Sequence, residues 1–108
     1  MDIPLLEPPG AVAFVVYNEL FHTRVMDMLG RIGIDYYTRW GPATGKGHGT
    51  KPHLGQGPHG STNAVLMIAF QEEAPLKALI DAIQAANAQT ARPDDHMRLF
   101  QVPLLRIV

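Results

Sequence analysis

The amino-acid sequence predicts an α+β domain in which strands and helices follow the order βαββαβ. Four short apolar segments are rich in β-branched and aromatic residues, and two others repeat their apolar residues at three- and four-residue spacing. A long glycine-rich stretch separates the second strand from the third. With 108 residues the chain forms one domain, 1–108, around a single core.

Residues 1–10 read as an N-terminal extension, too acidic and proline-rich for a signal peptide. Ala11 to Tyr17 (AVAFVVY) follows Pro8, Pro9 and Gly10 as a continuous apolar run and predicts the first strand. From Asn18 to Arg31 the residues Leu20, Phe21, Val25, Met28, Leu29 and Ile32 mark one helical face, with Asn18 able to cap its start and Gly30 or Gly33 its end. Ile34 to Trp40 (IDYYTRW) predicts the second strand, and Thr62 to Gln71 (TNAVLMIAFQ), the most apolar segment, a central third. Glu72, Glu73 and Pro75 suit a helix start, after which Leu76, Leu79, Ile80, Ile83 and Ala86 form a buried stripe. Met97 to Val108 predicts the fourth strand, which Pro103 restricts to an edge or a bulge.

The order βαββαβ is the ferredoxin-like arrangement, an antiparallel sheet with both helices on one face. The other face is then bare. Because the strands are apolar on both faces, a further copy of the chain is the expected cover, and a homo-oligomer follows.

Composition narrows the functions. Apolar residues make up 46% and charged residues 18%, and the formal net charge is -1, so nothing favours nucleic acid or an anionic membrane as partner. Cysteine is absent, which removes disulfides, thiolate zinc sites and cysteine nucleophiles and fits a cytoplasmic setting. No apolar run approaches the roughly eighteen residues of a membrane span, so direct membrane insertion is not expected.

Function is expected in the stretch 41–61, GPATGKGHGTKPHLGQGPHGS, whose seven glycines and three prolines cannot build a core and read as a long mobile loop. Its GPATGKG start falls short of a phosphate-binding P-loop: three residues, not four, separate the glycines before Lys46, and Gly47 stands where Ser or Thr is needed. His48, His53 and His59 could close around a transition metal, since imidazole ligates zinc, copper, nickel and cobalt, although spacings of five and six match no zinc signature. Three solvated turn histidines are the alternative. His22 and His96 read as surface or half-buried side chains rather than ligands. No carboxylate pair, Ser-His-Asp set or metal-plus-base pattern can be assembled, which argues against an enzyme.

The segment GIDYYTRWGPATGKGH, from Gly33 to His48, resembles the strand and T-loop start of the PII signal-transduction family, where a similar glycine-rich run ends in Lys-Gly-His. DDHMRLF, from Asp94 to Phe100, is similar in position to the family's B-loop and the strand after it, with Arg98 where a phosphate-contacting lysine would lie. The resemblance implies a homotrimer with small-molecule sites in the clefts between subunits, here drawing on Arg39, Gly41, Lys46, Gly47, His48 and Arg98. It also implies a T-loop, 41–61, that acts on a partner such as a membrane transporter or an enzyme. Departures accompany the match. Gly45 stands where the family has a glutamine that helps hold magnesium and 2-oxoglutarate, 49–61 holds no tyrosine to modify, and Arg92, Pro93, Asp94 and Asp95 replace the B-loop glycines.

The expected function is therefore a trimeric, non-catalytic PII-like regulator that senses a small ligand, an adenine nucleotide or another anion, and signals through its loop. The alternative is a transition-metal sensor or buffer built on His48, His53 and His59, linked to metal transport or to the CutA group that shares the fold.

Overall fold

A computed structural model describes residues 10–46 and 61–108. Its strands are β1 (Gly10–Asn18), β2 (Thr38–Ala43), β3 (Asn63–Phe70) and β4 (Arg98–Leu104), and its helices α1 (His22–Ile32) and α2 (Glu73–Ala88). The strands form one antiparallel sheet in the order β2-β3-β1-β4. The predicted α+β, ferredoxin-like βαββαβ class is the observed one.

Strand alternation decides what the sheet covers. Ala11, Ala13, Val15 and Tyr17 of β1 lie opposite Phe70, Ile68, Leu66 and Ala64 of β3, and all eight are buried. They share one core with Val25, Met28 and Leu29 of α1 and Leu76, Leu79 and Ile83 of α2, so both helices cover the same face. Residues of the opposite parity form the open face: Val12, Phe14 and Val16 of β1, Val65 and Met67 of β3, Trp40 of β2, and Phe100 and Val102 of β4. Trp40 keeps 45% of its surface exposed and Phe100 54%, an apolar face left to solvent in the isolated chain.

Three boundaries differ from the sequence reading, each for a local reason. Asn18 does act as a cap, its Oδ1 accepting from Leu20 N–H at 3.0 Å, but it caps a 3-10 turn over Glu19–Phe21, and α1 begins only at His22. The tighter turn rotates Leu20 off the helical stripe, leaving it 77% exposed. Gly33 ends α1 as expected, in the left-handed conformation at φ 91°, with its N–H on Leu29 C=O at 2.9 Å.

Residues 34–37 make no strand pairing, so β2 starts at Thr38 and runs to Ala43, into the stretch assigned to the loop. Gly41 packs closely on that path: a Cβ there would stand 2.8 Å from Glu19 Oε1, so that carboxylate would have to shift, and in ordinary contact with Ala64 at 3.4 Å. β4 is shorter than Met97 to Val108 and lies at the sheet edge, where Pro103 is tolerated.

A candidate ligand cavity at the loop stem

Where β1 ends, β2 leaves the sheet and β4 begins, the open face dips into a cavity of about 310 Å³. Lys46 enters it from the segment after β2, and Arg98 from the first position of β4, opposite Val16. Asn18 and Asn63, a paired position on β1 and β3, supply side-chain amides, while Val16, Val65 and Phe100 give an apolar wall. Asp94 and His96 complete the side formed by the α2–β4 connection. A cavity of this size, with two cations and two side-chain amides around an apolar wall, suits a small anionic ligand with a planar or apolar part.

The residues expected to bind ligand divide between the two faces of the sheet. Lys46 and Arg98 line the cavity; Gly47 and His48, like the metal set His48, His53 and His59, lie outside the described residues. Gly41 is a close-packing position against Glu19 and Ala64. Arg39 pairs with Leu66, a covered-face residue, and its side chain follows that parity. Its Nε donates to Tyr17 Oη at 3.1 Å and its Nη2 to Glu19 Oε2 at 3.0 Å. The hydrogen bond to Tyr17, with smaller contributions from that residue's charge and from the bond and charge of Glu19, outweighs desolvation and raises the guanidinium above its ordinary value.

This cluster fastens both stems of the loop to one corner. Glu19 Oε1 accepts from Thr62 Oγ1 at 3.3 Å, Glu19 N–H donates to Thr62 C=O at 2.9 Å, and Asn18 Nδ2 donates to Ser61 Oγ at 3.3 Å. Tyr17, only 1% exposed, lies with its hydroxyl 2.9 Å from His22 Nδ1, so its buried oxygen is satisfied. His22 and His96 are both half-buried, as the sequence reading expected, and each is hydrogen-bonded within the chain.

The acidic wall carries its own counter-ion. Arg92 Nη2 lies 3.7 Å from Asp94 and its Nε 3.9 Å from Asp95, which offsets part of the negative field of those carboxylates. Sequence reasoning missed Asn18, Asn63, His96 and Phe100 as cavity residues. Asn18 offered a signal as a helix cap, but its place in a cavity depends on the β1–β3 register, which only the folded sheet supplies.

No protein-family model matches the chain, and no curated protein matches its sequence. Solved structures do match in shape. CPII from Thiomonas intermedia K12, bound to ADP and bicarbonate, aligns over 85% of this chain and 84% of its own with 18% identity and a TM-score of 0.63. A second CPII structure, bound to ADP, AMP and bicarbonate and described as a nitrogen regulatory PII-like protein, aligns over the same shares with 19% identity and a TM-score of 0.62. A candidate PII-like signalling protein from Thermus thermophilus covers 85% of this chain and 83% of its own at 18% identity, with a TM-score of 0.54. Sheet order, helix placement and these alignments agree, and the chain has the fold of the PII-like signalling proteins.

Proposed function

We propose that this protein is a non-catalytic PII-like regulator that assembles as a homotrimer, binds a small anionic ligand at the clefts between subunits, and acts on a partner protein through the loop 41–61. The observation that carries the reading is the convergence of Lys46, beside the loop, and Arg98, on β4, on one cavity that opens on the uncovered sheet face. A ligand held by both would tie the conformation of the loop stem to occupancy, which is what a ligand-operated loop requires. The apolar residues of the open face give two further copies a surface to bury, and the cavity at its rim would then lie beside a neighbouring chain.

An adenine nucleotide with or without bicarbonate is the ligand class to test, since both are bound in the CPII structures that share the fold. Phosphate oxygens would meet Lys46 and Arg98, and the base would have the Val16, Val65 and Phe100 wall.

Calorimetry with ADP, with bicarbonate and with both should give saturable binding to the wild type, weakened at least tenfold by Arg98→Ala, the scale of one charge-assisted hydrogen bond lost. Nickel or zinc binding lost in a His48, His53, His59 triple alanine variant, with no heat from ADP or bicarbonate, would replace this reading by the transition-metal sensor.

A further inference from the structure

The cavity wall formed by the α2–β4 connection has a polar, charged sequence, QTARPDDH over 89–96, and its end is tied back to α2 by a side chain that is not part of the lining. Asn87, in the last turn of α2, makes two hydrogen bonds to the backbone of a single residue. Its Nδ2 donates to Met97 C=O at 2.8 Å, and its Oδ1 accepts Met97 N–H at 2.8 Å. A carboxamide that offers one donor and one acceptor to one residue does what an antiparallel strand partner would do, and either bond fixes which way the amide faces. The Met97 side chain is buried in the core, so residue 97 is held from both its backbone and its side chain.

Met97 stands between His96 and Arg98, and both of these line the cavity. A second link runs beside the first: His96 Nε2 lies 2.9 Å from Thr90 C=O, and Thr90 Oγ1 donates to Ala86 C=O at 2.8 Å, back in the last turn of α2. A carbonyl only accepts, so Nε2 carries the proton and the His96 ring is fixed in that orientation. Arg98 itself is exposed, and among the described residues its guanidinium has no protein tether. Its position in the cavity therefore depends on where its backbone is held.

We infer that Asn87 is a positioning residue of the ligand site: by bracketing Met97 it sets Arg98 toward the cavity before ligand arrives, and so contributes to affinity through Arg98 without touching ligand. The inference rests on the ligand-binding reading given under Proposed function. Substitutes fail for identifiable reasons. Asn87→Asp would lose the donor to Met97 C=O and set a carboxylate against it, Asn87→Gln would be one methylene too long, and Asn87→Ala would leave both backbone groups of Met97 without this partner.

The test is a double-mutant cycle on the full chain with ADP as probe, read by calorimetry. Asn87→Ala should weaken ADP binding about tenfold in the wild-type background and by less than about twofold in the Arg98→Ala background, because the position it sets no longer carries a guanidinium. Asn87→Asp, which keeps the acceptor, serves as the second variant should the alanine chain fail to fold. Equal weakening in both backgrounds would show a general structural effect and overturn the inference, as would unchanged affinity in Asn87→Ala. Absence of ADP binding by the wild type would instead remove the functional reading on which the inference stands, and the two failures are distinguishable.

Discussion

The two faces of the sheet are built from the same four strands and the same residue types, yet they are finished in opposite ways. On the helix-covered face the polar groups brought inside have partners: Arg39 is bonded to Tyr17 and Glu19, Glu19 to Thr62, and Tyr17 to His22. No buried side-chain nitrogen or oxygen among the described residues lacks a hydrogen bond. On the open face the apolar residues stay partly exposed, and the cations Lys46 and Arg98 converge on a cavity. The covered face holds this chain together, while the open face leaves its apolar residues and these two cations accessible. Strand parity alone sends Arg39 to the covered face and Arg98 to the open one.

The largest expected effect follows from placing a charge at the middle of the open face. Phe14 lies opposite Met67 on one side and Phe100 on the other, so Phe14→Asp would bury a carboxylate among apolar side chains if copies associate through this face. Light scattering should then return a trimer for the wild type and a monomer for the variant, with the far-ultraviolet helix and strand signal retained because the covered core is untouched. A trimer that survives Phe14→Asp would show that the open face is not the assembly surface.

Exchanging the two arginines' fates sharpens the comparison further. Arg39→Ala should cost about 1–2 kcal/mol in urea unfolding at fixed protein concentration, since it breaks a charge-assisted pair with Glu19 and removes the Arg39 hydrogen bond to Tyr17. Affinity for ADP should change by less than about twofold, a few tenths of a kcal/mol. Were ADP binding lost in Arg39→Ala with stability unchanged, Arg39 would belong to the ligand site despite its parity.

Much of this contrast was legible in the sequence, and the parts that were not share a cause. The run AVAFVVY and the stripe Leu76, Leu79, Ile83 identify a strand and a helix because their periodicity is local. Pro103 restricted β4 to an edge or a bulge for an equally local reason, its missing N–H, and the sheet order makes it an edge. β2 was misplaced because TRWGPA carries the glycine and proline of a loop; what makes it a strand is pairing with β3, a contact between distant parts of the chain. Arg39 and Arg98 look equivalent as sequence, and IDYYTRW alternates too weakly to say which way Arg39 points. Asn87 reads as an ordinary residue near a helix end. Its partner Met97 becomes identifiable only when the connection folds back onto α2.

The smallest expected effect lies at the rim of the covered face. Tyr36 precedes β2 with its ring edge-on to the buried Phe70, at a centroid separation of 6.2 Å. Partial burial first, then the nearby charges of Glu72 and Asp35, raise its hydroxyl above the ordinary value of 10.0. Above that value the unfolded chain releases this proton while the folded chain still holds it, so the folded state binds more protons and is progressively disfavoured. The contribution is fully present below about pH 10 and is lost as pH rises through the folded value. Urea midpoints measured at about pH 9 and about pH 11 should therefore fall further for the wild type than for Tyr36→Phe, by a small margin because the ring is 42% exposed and solvent screens the carboxylates. Trp40, the exposed aromatic of the open face, has no ionising group, and Trp40→Phe should leave the alkaline slope unchanged. An equal fall in wild type and Tyr36→Phe would assign the alkaline loss to other groups and leave the rim of the covered face as insensitive to pH as the open one.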